Sequence, residues 1–161
     1  MSEKENFLST WEREFQITMK VLKHYPEDKL DLKPAEKLRD ARNLLWVFVS
    51  ETSLIDMAIQ GEIKFGSMPE APNTLGEILS AFQAKYDALV AKIKDIPDEE
   101  LNATVKFMVG PGQIVDLRKL DIFWITIMDM IHHRGQISVY SRIAGGIVPS
   151  IYGPSADEPW N

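Results

Sequence analysis

Apolar positions recur at steps of three and four along most of this chain, a spacing that predicts helices. Phe7, Trp11, Phe15, Thr18 and Leu22 fall on one stripe, so the pattern predicts a first helix over about residues 3–24, closed by Pro26. His24 stands at its end, where a partial positive charge suits the helix dipole, and it reads as a surface capping residue. Residues 30–38, with Pro34 and alternating charge, read as an ordered connection. Asp40 has the chemistry of an N-cap for a second helix that runs to about Gly61. The run Leu44 to Val49 would by itself also suit a strand, but its continuation through Leu54, Ile55, Ala58 and Ile59 makes a helix. Gly66, Pro69, Pro72 and Asn73 mark a loop. Beyond it, Leu75, Ile78, Leu79, Phe82, Tyr86, Leu89, Val90 and Ile93 share one face of a third helix and belong to the core. Pro97 followed by Asp98, Glu99 and Glu100 suits a short extra helical turn. Residues 104–109 and the Gly110-Pro111-Gly112 that follows carry too little pattern to assign.

The last long segment has a different pattern. Residues 117–144 predict one helix, with Asp116 as N-cap and Gly145-Gly146 as its stop. Leu120, Ile122, Phe123, Trp124, Ile125, Ile127, Met128, Met130 and Ile131 cover nearly every direction around it. A helix apolar all round belongs in a bundle core or an oligomer interface, so a homodimer is expected. Gly135 inside this helix costs about 1 kcal/mol against alanine and reads as a point where a neighbouring helix approaches closely. The expected fold is all-α, a four-helix bundle in a single domain over residues 1–161. It has a long loop between the second and third helices, and an ordered C-terminal tail whose Tyr152 and Trp160 pack across the bundle or a partner subunit.

Composition narrows the function classes. With 45% hydrophobic and 26% charged residues in 161, the chain sits in the soluble globular class. A formal charge of −6 argues against a dedicated nucleic-acid binder, which would carry a basic stripe. The absence of cysteine excludes disulfides, thiolate metal sites and a cysteine nucleophile. The N-terminus is polar and no run approaches the roughly 20 apolar residues of a membrane helix, so the expected location is cytoplasmic with no membrane contact.

The candidate chemistry lies in the last helix. Asp129 and His133 stand at i and i+4, so they project from one face and form a candidate catalytic pair. His132 is turned about 100° away and reads as a packing or dimer-contact residue. An acid or imidazole in such apolar surroundings has to be paired, hydrogen-bonded or metal-bound. Arg134 is a candidate clamp for a substrate oxyanion or carboxylate, weighed against the favoured alternative of a salt bridge to one of the 24 acids. Gln136 and Tyr140 form a further i, i+4 polar pair and are candidate substrate contacts.

Several segments resemble the DinB/YfiT-like family: HHRGQ at 132–136, SVYSR at 138–142 and VPSIYGPSADE at 148–158, with LKP at 32–34 and the Arg39-Asp40 step. The resemblance implies a four-helix bundle, commonly dimeric, with a divalent metal held by three histidines, one in the second helix and two a turn apart in the last. Those positions correspond here to Val47, Asp129 and His133, of which only His133 matches. Valine has no donor atom. Asp129 can ligate through oxygen, and Glu51, one turn after Val47 on the same face, completes a conceivable set of Glu51, Asp129 and His133 for zinc, nickel, manganese or iron.

Three functions from different classes follow. The first is a metal-assisted hydrolase or thiol transferase, since the resemblance implies one of these reactions. The second is a bundle that has lost the metal and serves as a small-molecule-binding or regulatory module, with Asp129 accepting a hydrogen bond from His133 or Arg134. The third is a metal-free acid/base enzyme in which Asp129 orients His133; it ranks last because no nucleophile accompanies the pair.

Overall fold

The computed structural model describes residues 1–64, 66 and 69–160. Helix α1 spans Glu3–Lys23, and Ser2 and Glu5 form a reciprocal capping box at its start. A 3-10 turn at Glu27–Lys29 leads to α2, Ala41–Gln60, where the Asp40 carboxylate accepts from the Asn43 amide at 2.8 Å. Helix α3 covers Leu75–Asp95 behind a Thr74 cap, and the single turn α4 covers Asp98–Leu101. Helix α5 runs Lys119–Ile143.

The four long helices pack α1 on α5, α5 on α2, α2 on α3 and α3 on α1. Phe7, Trp11 and Phe15 from α1 meet Phe48 of α2, Phe82 and Tyr86 of α3 and Phe123 of α5 in the buried centre. Phe15 and Tyr86 stack with ring centroids 3.7 Å apart, and Trp11 meets Tyr86 edge-on at 5.0 Å. The stripe read from α1 and that read from α3 face this centre.

One expectation fails between α4 and α5. Thr104–Gly110 and Gln113–Arg118 form an antiparallel hairpin, β1 and β2, joined through Pro111 and Gly112, with Gly112 at φ 71°. Leu117 and Arg118 therefore belong to a strand, and α5 starts at Lys119 instead of residue 117. Asp116 is not an N-cap, because it pairs across the hairpin with Lys106 at 3.4 Å. The hairpin packs on the bundle through Val105, Phe107 and Leu117, while Met108, Val109, Ile114 and Val115 stay exposed.

The end of α5 behaves as its glycines suggest. Gly145 takes φ 77°, and the amides of Gly145 and Gly146 bond the carbonyls of Arg142 and Ser141, the reciprocal pair that closes a helix. A Cβ on Gly146 would lie 2.8 Å from the Pro26 ring, so only glycine lets the tail leave across the end of α1. The tail then lies along α1, with Glu158 accepting from Lys20 at 2.5 Å and from the Ser150 amide at 2.9 Å. Among the described residues no helix is long and apolar enough to cross a membrane.

Candidate functional site

Asn43, Val47, Glu51, Leu54 and Met57 recur on one side of α2 and line a cleft of about 790 Å³. Asp129 and His133 reach the same cleft from α5. The packing of α2 on α5 thus joins a carboxylate distant in sequence to the i, i+4 pair. His133 Nε2 lies 3.2 Å from Glu51 Oε1 and 3.7 Å from Asp129 Oδ2. One donor atom from each residue falls within 4.8 Å of the others.

The three side chains differ in exposure. Those of Glu51 and His133 are 12% and 15% exposed and that of Asp129 is 56%, so the group opens towards Asp129 and the cleft. Glu51 Oε2 is buried and has no hydrogen-bond partner among the described residues. Burial pushes the Glu51 carboxyl up to about 7; the hydrogen bond with His133 opposes this, and the nearby negative charge of Asp129 adds to it. The His133 imidazole is raised as well, first by its bond to Glu51, against the effect of burial. At the other ring nitrogen, Nδ1–H donates to Gln136 Oε1 at 2.9 Å. That bond leaves Nε2 directed at the two carboxylates, where it holds either a proton or the lone pair of a ligand.

The other predicted residues have other roles. Arg134, the candidate substrate clamp, is 1% exposed and outside the cleft lining, donating to Glu14 Oε2 at 2.9 Å and Thr18 Oγ1 at 3.1 Å on α1. This is the salt bridge to an acid that the sequence favoured. Tyr152 of the tail closes the cluster, bonding both Arg134 and Glu14. Burial pushes the Glu14 carboxyl up, but Tyr152 and Arg134 together hold it below its ordinary value. Gln136 touches His133 and not the cleft, so it positions the imidazole; its amide nitrogen also bonds His132 Nε2 at 3.0 Å. Tyr140 is separated from Gln136 and buried, its hydroxyl donating to the Arg39 carbonyl at 2.8 Å. His132 is exposed. Gly135 meets no helix of this chain, since a Cβ there has nothing within 4 Å. His24 caps α1, its Nδ1 bonding the Lys20 carbonyl at 2.7 Å.

Lys33 and Arg39, which precede α2, also line the cleft, and no site role was expected of either. Their only sequence signal is their place in the LKP and Arg39-Asp40 segments.

A model of the DinB family matches residues 1–160. The uncharacterized protein YrdA of Bacillus subtilis is 26% identical over 159 residues, covering 96% of this chain and 90% of that protein. Among solved structures, a DinB-like protein from Bacillus cereus superposes with a TM-score of 0.77 at 23% identity, covering 92% of this chain and 97% of that one. The DinB-like protein YjoA from Bacillus subtilis gives 0.69 at 16% identity, covering 91% and 97%. The mostly helical fold of this chain, with its small hairpin, is thus similar to DinB-like structures, and the family match over nearly the whole length establishes that the chain belongs to the DinB family.

Proposed function

We propose that Glu51, Asp129 and His133 hold one divalent cation and that the protein is a metal-dependent hydrolase or thiol transferase acting on a small molecule in the α2–α5 cleft. The observation that carries this is the Glu51 carboxylate. One of its oxygens is buried without a partner, beside two further ligand atoms and at the wall of a cleft. A buried carboxylate oxygen left bare is costly, and a cation between the three groups would relieve it. Two carboxylates and one imidazole suit zinc, manganese, iron or nickel. A bound divalent ion would supply Lewis acidity, making water or a thiol a competent nucleophile at neutral pH.

The protein's own groups do the rest. Gln136 fixes the ring of His133 through Nδ1. The exposure of Asp129, the greatest of the three, supports a role in accepting a proton from an incoming nucleophile through the oxygen that does not hold the cation. Since the chain has no cysteine, a thiol would come from a second substrate. A cytoplasmic setting is part of the same proposal.

Elemental analysis and calorimetric titration with zinc and manganese test the site. About one equivalent is expected for the native chain and less than about a tenth for His133→Ala and Glu51→Gln. Less than a tenth in the native chain, with no thermal stabilisation by either ion, overturns the reading. Val47 favours a second reading, because it places an apolar side chain where the family resemblance implies a histidine. In that case the cleft binds a small molecule without a metal, and His133 is satisfied as an imidazolium by Glu51 and Asp129.

We also infer a homodimer through α5. Met128, Val139 and Ile143 are 58%, 58% and 54% exposed on its outer side, and Gly135 leaves the backbone between them uncovered. A second copy offers the same stripe, as a two-fold interface requires.

A further inference from the structure

At the N-terminal end of α2 the cleft carries two exposed cations that have no partner among the described residues. Among the described residues, neither Lys33 nor Arg39 has a salt bridge or a side-chain hydrogen bond, in a chain with six more acids than bases. The other charged groups nearby do not neutralise them. Asp40 is committed to its cap, accepting from the amide and side-chain nitrogens of Asn43, and Lys64 pairs with Glu62 at 3.0 Å. Glu70, on the loop wall, makes no ion pair with either cation.

The backbone beneath Arg39 is firmly held. Tyr140 donates to its carbonyl, and the amides of Ala41 and Arg42 bond the carbonyls of Leu32 and Leu30 at 2.9 and 2.8 Å. The guanidinium therefore projects from a fixed point at the cleft. Leu38, Trp46 and Val47 line the same cleft, the last two on α2 ahead of Glu51, and Trp46 is itself held by its bond to the Pro69 carbonyl at 2.8 Å. From Ala41 to Glu51 is roughly 15 Å of helix at 1.5 Å per residue.

We infer that the cleft takes an elongated small molecule with an apolar body and an oxyanion, carboxylate or phosphate, at one end. The oxyanion rests on Arg39 and Lys33. The body lies over Leu38, Trp46 and Val47, and the opposite end meets Glu51, Asp129 and His133. That last placement rests on the proposed function; the anion subsite does not. Arginine matches either oxyanion through paired N–H donors, and lysine adds a point charge. Val47 belongs to this account, since an apolar side chain there extends the apolar wall up to the polar group.

Calorimetric titration of the full chain in excess chelator with octanoate, octyl phosphate and octanol tests the subsite free of any metal. The anions are expected to bind at least about tenfold more tightly than octanol, and the tighter of the two identifies the oxyanion. Arg39→Gln should weaken the anions about tenfold and Lys33→Gln about threefold, leaving octanol unchanged. Lys106→Gln, on the hairpin and outside the cleft lining, should bind the anions as the native chain does. Octanol binding as tightly as the anions, or an Arg39→Gln, Lys33→Gln double variant binding octyl phosphate within twofold of the native chain, overturns the inference. Anion binding that appears only with added manganese and vanishes in Glu51→Gln also overturns it, while supporting the metal site. Arg39-dependent binding in a protein that takes up no metal sustains the inference and overturns the proposed function instead.

Discussion

Glu51 Oε1 and His133 Nε2 stand 3.2 Å apart across the α2–α5 contact, while the second oxygen of that carboxylate is buried and unbonded. The pair makes the metal-free protein sensitive to pH. Glu51 is raised to about 7 from 4.5, so between those values the folded state holds a proton that the unfolded chain has released. The contribution of Glu51 to stability is therefore full below about pH 4.5 and is lost as pH rises through 7, and the raised His133 acts in the same direction. Urea unfolding in chelator should show a midpoint that falls from pH 5 to pH 8, by a few kcal/mol at most. Glu51→Gln should flatten much of that dependence; an unchanged slope would remove Glu51 as its source.

Position 47 is expected to tune metal binding. Val47 is 9% exposed and one turn before Glu51 on the cleft side of α2. Val47→His adds an imidazole beside the three existing ligand atoms. Zinc affinity should rise about tenfold or more, at some cost to metal-free stability from burying a polar ring. Competition with a chromogenic chelator measures the gain, and equal affinities for both proteins would show that position 47 does not reach the site.

The Arg134 cluster is predicted to hold the fold together without entering the chemistry. Glu14→Gln leaves a guanidinium 1% exposed with its main counter-charge removed, a loss of about 3–5 kcal/mol. Tyr152→Phe removes one bond to the charged pair and should cost about 1.5–3 kcal/mol. Denaturant midpoints report both changes. Metal stoichiometry should stay at the native value in each, and a change there would place Arg134 in contact with the site after all.

Light scattering at micromolar concentration should give twice the mass of one 161-residue chain. Val139→Glu introduces a charge in the middle of the exposed α5 stripe and should yield monomers with an unchanged circular dichroism spectrum. A native protein that runs as a monomer would contradict the α5 interface.

Much of the helical framework was legible because its signals are local. Phe7 to Leu22 and Leu75 to Ile93 carry a helical period, Asp40 caps the helix that follows it, and Gly145-Gly146 ends the last one. The hairpin was not legible in the same way. Its strands expose most of their side chains and exist because they pair with each other, and the inward face is only Val105, Phe107 and Leu117, too short a pattern to read. The one local sign was Pro111-Gly112 flanked by β-branched and aromatic residues, the pattern of a tight turn between strands.

Asp129 and His133 were placed together by a period of 3.6 residues, which the sequence by itself determines. Glu51 was joined to them on the strength of a family resemblance, and only the packing of α2 on α5 puts its carboxylate 3.2 Å from the imidazole. Arg134 shows the opposite case. It is adjacent to His133 in sequence, yet successive helical residues are turned by about 100°, so its side chain went to Glu14 on α1 and not to the cleft. Lys33 and Arg39 likewise gained a role only when the connection before α2 folded against the same cleft. Spacing along one helix decides which residues share a face; which faces then meet depends on contacts between residues far apart in the chain, and that only the tertiary structure could decide.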